Sequence, residues 1–339
     1  MCFRLLGFIV LAMSQLTFGA TAADFYAGKS IRMTVGAGPG GGYDIYARVL
    51  VAHMSKHIPG NPNIVVQNMP GAGGAKAATY IYNVAPKDGT AIGAIQPGSV
   101  IGPLLDDRTK FEYDPTKLIY LGTANVSTRV CVTWYKSKTK TFADAMTNKT
   151  ILGTAGEGDS TRDYAYMHKN TTKARFDIVS GYTATPDIML AMERGEVDGV
   201  CGWDLSSLMA QKADYVRDNK INFLVQVGSP SPLLAGKNVP VIDEFLSDDT
   251  GRQINALISA QQQFGRPYIL PPGTPDDRVA ILRKAFASTL EDPALLADAE
   301  RAKIDIAPAG GERVQEGIAQ IYKAPKDLIA KARMAIGRQ

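Results

Sequence analysis

Cysteine, histidine and tryptophan are scarce in this sequence. Its 339 residues include three cysteines, three histidines and two tryptophans. His53 and His57 stand four apart on a predicted helix, a spacing that can chelate a metal. No carboxylate or thiol lies nearby in the sequence to complete a ligand set, so we predict a surface helix face and no metal centre.

Long apolar segments are absent after residue 23, and we predict no membrane-spanning helix there. The start differs: after Arg4, the apolar stretch 5–18 leads into small residues at 19–23. This order is typical of a cleaved signal peptide, whereas a membrane anchor needs about 20 apolar residues. We expect cleavage near Ala22 or Ala23, which leaves a periplasmic protein.

An excess of charge of one sign is also missing. The chain has 37 Lys and Arg against 33 Asp and Glu, a formal net charge of +4. A balance this weak, spread along the chain, does not favour nucleic-acid or membrane surfaces. We predict no nucleic-acid partner, and we expect a monomer.

Two cysteines would remain after signal cleavage, Cys131 and Cys201, each in an apolar run that resembles a strand. An oxidising compartment permits a disulfide between them, but the sequence does not give the Cα separation that the bond requires. A bridge and two buried thiols both stay open.

Alternating strand-like and helix-like segments predict an α/β fold. The chain opens with a predicted βαβαβ unit between Ile31 and Ile95. A second alternating set runs from Val130 to Trp203. The tail, at 275–288 and 312–335, is predicted to form amphipathic helices that pack back on the rest.

Three glycine-rich loops, at 36–44, 70–74 and 153–161, each lie between a predicted strand and a predicted helix. Glycine lets a ligand approach the backbone closely, and the free N–H groups of the next helix favour negative charge. In α/β sheets, ligands bind at the carboxyl ends of strands. The loops therefore predict an anion-binding cleft.

Two enzyme alternatives come from the same loops. Gly36, Gly38 and Gly41 match the dinucleotide-binding spacing and favour an NAD-dependent oxidoreductase. The acidic residue expected at the end of the second strand is absent, because that strand ends at Gln67-Asn68.

An exported hydrolase would use Ser160, but no histidine stands in a glycine loop, and we predict that Ser160 caps its helix instead. We therefore predict no enzymatic activity and no cofactor.

The segments GGGYD (40–44), NMPGAGG (68–74) and PKDGT (86–90), in this order, resemble the TctC or Bug family. That family comprises the extracytoplasmic solute-binding proteins of tripartite tricarboxylate transporters. The resemblance continues to residue 275. It implies a two-lobed type II periplasmic binding-protein fold that closes on a small carboxylate ligand and delivers it to the membrane subunits of the transporter.

The resemblance also implies domain boundaries and a binding site. Lobe 1 would comprise residues 24–124 and 230–339, and lobe 2 residues 125–229. The implied ligand-binding residues of lobe 1 are Gly40, Gly41, Gly42, Tyr43, Asp44, Gly71, Ala72, Gly73, Gly74 and Ser99, with Gly98 as a further candidate. Those of lobe 2 are Thr154, Gly156, Gly158, Ser160, Thr161, Thr183, Ala184 and Thr185, with Asp204 as a weaker candidate.

The sequence does not decide how the charged residues near these loops would act on the far end of the ligand. Glu157 and Asp159 would repel a second ligand carboxylate, or they are solvated charges beside a helix start. Arg129 stands near the expected crossing between the lobes. It would pair with a distal carboxylate or be an ordinary surface arginine.

Overall fold

In the computed structural model, the chain forms two α/β lobes, each built on its own sheet. The structure describes residues 24–228 and 230–338, so the predicted signal peptide, residues 1–23, lies outside the described residues. None of the helices within those ranges is both long and apolar enough to cross a bilayer.

The strands and helices alternate along most of the described chain. The strands are β1 (Ser30–Val35), β2 (Asn63–Asn68), β3 (Ala91–Ala94), β4 (Ile119–Thr123), β5 (Arg129–Trp134), β6 (Thr150–Thr154), β7 (Phe176–Ser180), β8 (Gly199–Asp204), β9 (Ile221–Val227), β10 (Pro267–Leu270) and β11 (Ala309–Gly310). The helices are α1 (Gly42–Met54), α2 (Ala75–Asn83), α3 (Pro97–Leu105), α4 (Phe142–Thr147), α5 (Ser160–Thr171), α6 (Thr185–Arg194), α7 (Leu205–Arg217), α8 (Asp249–Ser259), α9 (Asp276–Leu290), α10 (Pro293–Arg301), α11 (Gly311–Ile321) and α12 (Lys326–Ala335).

The first sheet has the strand order β11-β4-β10-β3-β1-β2, and the second has β7-β6-β8-β5-β9. In the first sheet β1 pairs in parallel with β2 and β3, while β10 and β11 run antiparallel to their neighbours. In the second, β6 is parallel to β7 and β8, and β5 is antiparallel to β8 and β9. The predicted α/β class is confirmed. The parallel strands in each sheet direct their carboxyl ends toward one edge.

The opening βαβαβ unit is present as β1, α1, β2, α2 and β3. The tail is helical as predicted, and its segment 312–335 forms two helices, because α11 ends before Pro325 and α12 begins after it. Proline has no N–H to donate and disfavours a helical residue before it, so the chain turns there.

The C-terminal segment packs against both lobes. On α3 of the first lobe, the carbonyl of Leu104 accepts from Arg333 Nη2 at 3.0 Å. On α5 of the second lobe, Asp163 accepts from Arg338 Nη2 at 2.7 Å, and both side chains are buried. The end of the chain therefore ties the lobes together, and the predicted assignment of 230–339 to lobe 1 stays a prediction.

A disulfide joins Cys131 on β5 to Cys201 on β8, two adjacent antiparallel strands of the second sheet. Both residues are fully buried. The two cysteines are 70 residues apart in sequence, so the bridge crosslinks two inner strands of the second sheet that the chain forms far apart in order.

His168, on α5, is fully buried and neither ring nitrogen has a hydrogen-bond partner within the described part of the chain. Its ring meets those of Phe142 and Tyr164 edge-on, with centroids 6.0 and 6.2 Å away. Burial lowers the pKa of His168 to about 3. The imidazole is therefore neutral in the folded protein at every ordinary pH.

Because His168 is buried and neutral, we expect the free energy of unfolding to fall in acid. Below about pH 6.5 the unfolded chain binds a proton at His168 that the folded protein does not bind until about pH 3. Between pH 7.5 and pH 5 this residue should lower the free energy of unfolding by about 2 kcal/mol. Urea unfolding of wild type and His168→Leu at both pH values measures the effect. Equal losses in the two proteins would contradict it.

Candidate ligand-binding cleft

A cavity of about 470 Å³ lies where loops from both lobes meet. The loops follow β1, β2, β6, β7 and β8 at their carboxyl ends. Its walls are formed by Gly36, Ala37, Gly38, Pro39, Gly40, Gly41, Gly42, Tyr43, Pro70, Gly71, Ala72, Gly73, Gln96, Arg129, Ala155, Gly156, Glu157, Asp159, Ser160, Thr183, Ala184, Thr185, Pro186, Gly202, Trp203, Asp204, Ser207 and Gln211. All three predicted glycine loops contribute to it.

A larger cavity, of about 650 Å³, lies on the second lobe around Trp134 and Tyr215. Its charged lining is mainly acidic, with Glu193, Asp214 and Asp218 beside a single cation. It includes no glycine loop. The interlobe cavity, hereafter the cleft, is also lined by three acids and one cation, so the charge count does not separate the two cavities. The glycine loops line only the cleft, and their amides make it the better candidate for an anionic ligand.

Asp44 holds the first glycine loop in place through hydrogen bonds made outside the cleft. Its carboxylate accepts from the Gly40 amide and from Arg48 Nε, both at 2.9 Å, and from Asn68 Nδ2 at 2.8 Å. Burial opposes ionisation, but these hydrogen bonds outweigh it and hold the pKa of Asp44 below its ordinary value. Asp44 does not line the cleft, so its carboxylate shapes the loop.

Two helices begin at the cleft without a side-chain cap. Gly41 precedes α1 and Ala184 precedes α6. Neither residue has a side-chain acceptor, so no side chain caps these two helix starts. The first N–H groups of a helix have no intrahelical partner, and the helix dipole adds partial positive charge there. The two lobes therefore each direct a helix N-terminus toward the cleft, an arrangement that suits an anionic ligand.

The third glycine loop is held by Asp159, which caps α5. Its carboxylate accepts from the Thr161 amide at 2.8 Å and from the Thr161 hydroxyl at 2.6 Å. The expectation that Ser160 caps this helix is wrong, since Ser160 is already the first helical residue. The preceding acid has the longer reach and the charge that the helix start favours.

Glu157 is not a free loop charge. It forms ion pairs with Arg108 at 3.0 Å and with Arg162 at 3.4 Å. Arg108 follows α3 of the first lobe, and Glu157 follows β6 of the second. This pair therefore bridges the two lobes at the edge of the cleft.

Backbone contacts between the lobes lie beside the same loops. A Cβ added at Gly98 would stand 3.0 Å from the carbonyl oxygen of Gly158, and one at Gly73 would stand 2.7 Å from it. A Cβ at Gly42 would overlap Ser207 Oγ. These glycines allow an approach of the lobes that a side chain would prevent.

A buried charge cluster lies at the crossing between the lobes. Arg266, next to β10, donates to Asp204 at 2.7 Å, and both side chains are almost fully buried. Asp204 also accepts from Ser127, Ser206 and the Ser207 amide. Burial opposes ionisation of Asp204, but Arg266 and Arg129 outweigh it and hold its pKa far below the ordinary value.

Tyr43 links this cluster to α1. The Arg266 guanidinium lies over the Tyr43 ring, 4.2 Å from its centroid, and the Tyr43 hydroxyl is 3.5 Å from Arg129 Nη2. Arg129 is 5% exposed, so it is not an ordinary surface arginine. Its position at the cleft favours the other expectation, a pairing with ligand.

The sequence-predicted residues divide into two groups. Those that line the cleft are Gly40, Gly41, Gly42, Tyr43, Gly71, Ala72, Gly73, Gly156, Ser160, Thr183, Ala184, Thr185 and Asp204. Those that do not line it are Asp44, Gly74, Gly98, Ser99, Thr154, Gly158 and Thr161. Their contact with a ligand stays a prediction in both groups.

Some residues of the second group hold the loops in place. Ser99 Oγ donates to the Gln96 carbonyl at 2.7 Å, Thr161 Oγ1 accepts from the Ala155 amide at 3.0 Å, and Thr154 Oγ1 lies 2.9 Å from Ser180 Oγ.

The structure adds side chains that sequence reasoning missed: Gln96, Trp203, Ser207 and Gln211. Gln96 directly follows a predicted strand, and Trp203 and Ser207 flank the end of another. Strand-end position was thus an available signal for these three. Gln211 lies in the interior of α7, and no local signal marked it.

The two-lobed fold recurs in solved periplasmic binding proteins. The periplasmic binding protein BugD is 20% identical, with a TM-score of 0.70 over 91% of this chain and 98% of that one. A Rhodopseudomonas palustris protein solved with adipate is 18% identical, with a TM-score of 0.69 over 90% and 97%. MatC from Rhodopseudomonas palustris, solved with malate, is 19% identical, with a TM-score of 0.65 over 89% and 99%.

Sequence comparison agrees. No family model matches the chain. A Cupriavidus necator protein described as "UPF0065 protein in gbd 5'region" is 27% identical over 327 residues, covering 92% of this chain and 90% of that protein. The predicted resemblance to TctC and Bug proteins and the two-lobed periplasmic binding-protein fold are confirmed.

We expect removal of the buried Arg266 to lower the stability of the fold far more than removal of an exposed arginine. Arg266→Gln leaves Asp204 charged and buried without its main partner, and should lower the free energy of unfolding by about 3–5 kcal/mol. Arg252→Gln, at an exposed ion pair on α8, should change it by less than about 0.5 kcal/mol. Urea unfolding at neutral pH measures both.

A double variant tests the cause. Adding Asp204→Asn to Arg266→Gln removes the stranded charge, so the double variant should lose less stability than the sum of the two single variants. Strictly additive losses would count against a charge-pair origin.

Proposed function

We propose that this protein is an exported, non-catalytic solute-binding protein that captures a small carboxylate between its lobes. The observation that carries the proposal is the cleft. Glycine-loop amides and an uncapped helix N-terminus from each lobe converge there on one space of about 470 Å³. Such groups favour a carboxylate and need no charged side chain to hold it.

The relatives support this ligand class. Two solved proteins of the same fold were obtained with adipate and with malate, and both ligands carry carboxylates. By extension we propose that the chain acts as a monomer in the periplasm and delivers its ligand to the membrane subunits of a tripartite tricarboxylate transporter. The predicted signal peptide, residues 1–23, would direct its export.

Capture would proceed by closure of the lobes. In an open form, the first glycine loop and α1 would offer amides to the ligand, and closure would bring up α6 and the third glycine loop. A ligand stabilises the closed form only through the additional contacts it makes there. On this proposal, the close approaches of Gly98 to Gly158 and of Gly42 to Ser207 would be contacts of that closed form.

The enzyme alternatives find little support in the side chains of the cleft. None of the three histidines lines it: His53 and His57 pair with Asp298 and Asp292, and His168 is buried in the second lobe. Ser160 Oγ accepts from Arg129 Nη1 at 3.3 Å, and a guanidinium has no acceptor with which to take the serine proton. In the first loop, Asp44 turns a negative charge toward the amide of Gly40, where a pyrophosphate would need free donors.

Thermal unfolding against a ligand panel tests the function. The mature protein, freed of carried-over ligand, is heated with mono-, di- and tricarboxylates, aromatic acids and acidic amino acids, with NAD as a control. A ligand at about 1,000 times its Kd adds about 4 kcal/mol and should raise the midpoint by several degrees. No shift with any carboxylate, or a shift with NAD alone, would overturn the proposal.

The closure mechanism predicts a variant that binds weakly but folds normally. Gly98→Ala places a methyl group against the Gly158 carbonyl only when the lobes are closed, and overpacking of this kind costs about 1–3 kcal/mol. The Kd should therefore rise by roughly 5- to 150-fold with little change in ligand-free stability. Titration calorimetry with the best ligand of the panel measures it.

The matched control is Gly317→Ala on α11. A Cβ there meets no atom within 4 Å, so its Kd should equal that of wild type. An unchanged Kd in Gly98→Ala would show that this contact is not part of ligand-driven closure.

A further inference from the structure

Arg129 is a buried cation at the cleft. It begins β5, is 5% exposed, and is the single Lys or Arg among the described residues that line this cavity. Burial lowers its pKa, yet the neighbouring Tyr43 and Asp204 raise it above the ordinary value. The guanidinium is therefore charged inside the protein.

The hydrogen bonds of Arg129 are long, and none goes to a carboxylate. Nη1 donates to Ser160 Oγ and to the Gly202 carbonyl, both at 3.3 Å, and Nη2 donates to the Tyr43 hydroxyl at 3.5 Å. Nε has no partner among the described residues. A planar guanidinium normally satisfies its donors with a carboxylate, often through two parallel bonds.

The acids near Arg129 are already engaged. Asp204 accepts a 2.7 Å bond from Arg266, so two buried guanidinium groups share one carboxylate. Glu157 pairs with Arg108 and Arg162, and Asp159 caps α5. One buried positive charge at the cleft is thus left for an anion that the chain does not supply.

This charge and the α1 N-terminus are separated within the cleft. Tyr43 belongs to the first turn of α1, and its hydroxyl reaches Arg129. The two anion-binding points therefore lie about the length of a tyrosine side chain apart. A single carboxylate cannot occupy both, whereas the two ends of an extended diacid can.

We propose that Arg129 binds the second carboxylate of the ligand, the one remote from the first glycine loop. The preferred ligand would then be a small dicarboxylate whose carboxylates are separated by a carbon chain. This inference rests on the proposed function, because it assumes that the first carboxylate lies at the glycine loop and the start of α1.

Titration calorimetry with matched ligands tests the inference. Succinate, glutarate, adipate and pimelate are each compared with the corresponding monoamide, which keeps one carboxylate and nearly the same shape. Malonate serves as a diacid too short to reach both points. The wild type should bind its best diacid about 30-fold or more tightly than the monoamide.

Arg129→Gln should reduce that preference to about threefold or less, because it should weaken binding of the diacid far more than binding of the monoamide. Arg129→Lys, which keeps the charge but loses the planar fork, should retain part of it. Arg252→Gln removes the same charge from α8, outside the cleft, and should keep the full preference. If Arg129→Gln fails to fold, the wild-type and Arg129→Lys preferences decide the question.

The outcomes separate the two proposals. If monocarboxylates or monoamides bind as tightly as diacids, or if Arg129→Gln keeps the wild-type preference, the role of Arg129 is overturned and the carboxylate-binding function stands. If no carboxylate binds at all, both are overturned. A diacid preference that disappears with Arg129 supports both.

Discussion

The interaction on which the rest of the structure depends is the buried contact between Arg266 and Asp204. Arg266 precedes β10 in the first sheet, and Asp204 ends β8 and caps α7 in the second lobe. A buried ion pair needs further hydrogen bonds to offset the loss of water, and three hydroxyl or amide groups supply them to Asp204. The pair therefore joins the two lobes beside the cleft, because Asp204 lines the cleft and Arg266 stands next to the first sheet.

The cleft separates two kinds of charge recognition. At α1 and α6 the favourable field comes from backbone amides, which lose little freedom and remain uncharged when the site is empty. At Arg129 it comes from a side chain that is buried without a carboxylate of its own. Under the two proposals, the first kind would accept any small carboxylate, whereas the second would discriminate by the charge at the ligand's far end.

Local pattern predicted much of the fold but missed particular elements. The βαβαβ start was found because β1 and β2 are apolar runs that end at glycine or polar residues. The antiparallel β10 was missed, since four residues after a glycine turn carry too little pattern to be recognised. Helix α3 was also missed: it contains Pro103 and two glycines, residues that weaken any helical prediction.

The sequence by itself determined the α/β class, the glycine loops at strand ends and the resemblance to TctC and Bug proteins, because each is a local property of residue order. Only the tertiary structure decided which residues meet. It set Asp44 behind its loop, gave the cap of α5 to Asp159, joined Cys131 to Cys201, and buried Arg129 without a carboxylate. Burial and pairing depend on atoms brought together from distant parts of the chain, and spacing in the sequence does not encode those distances.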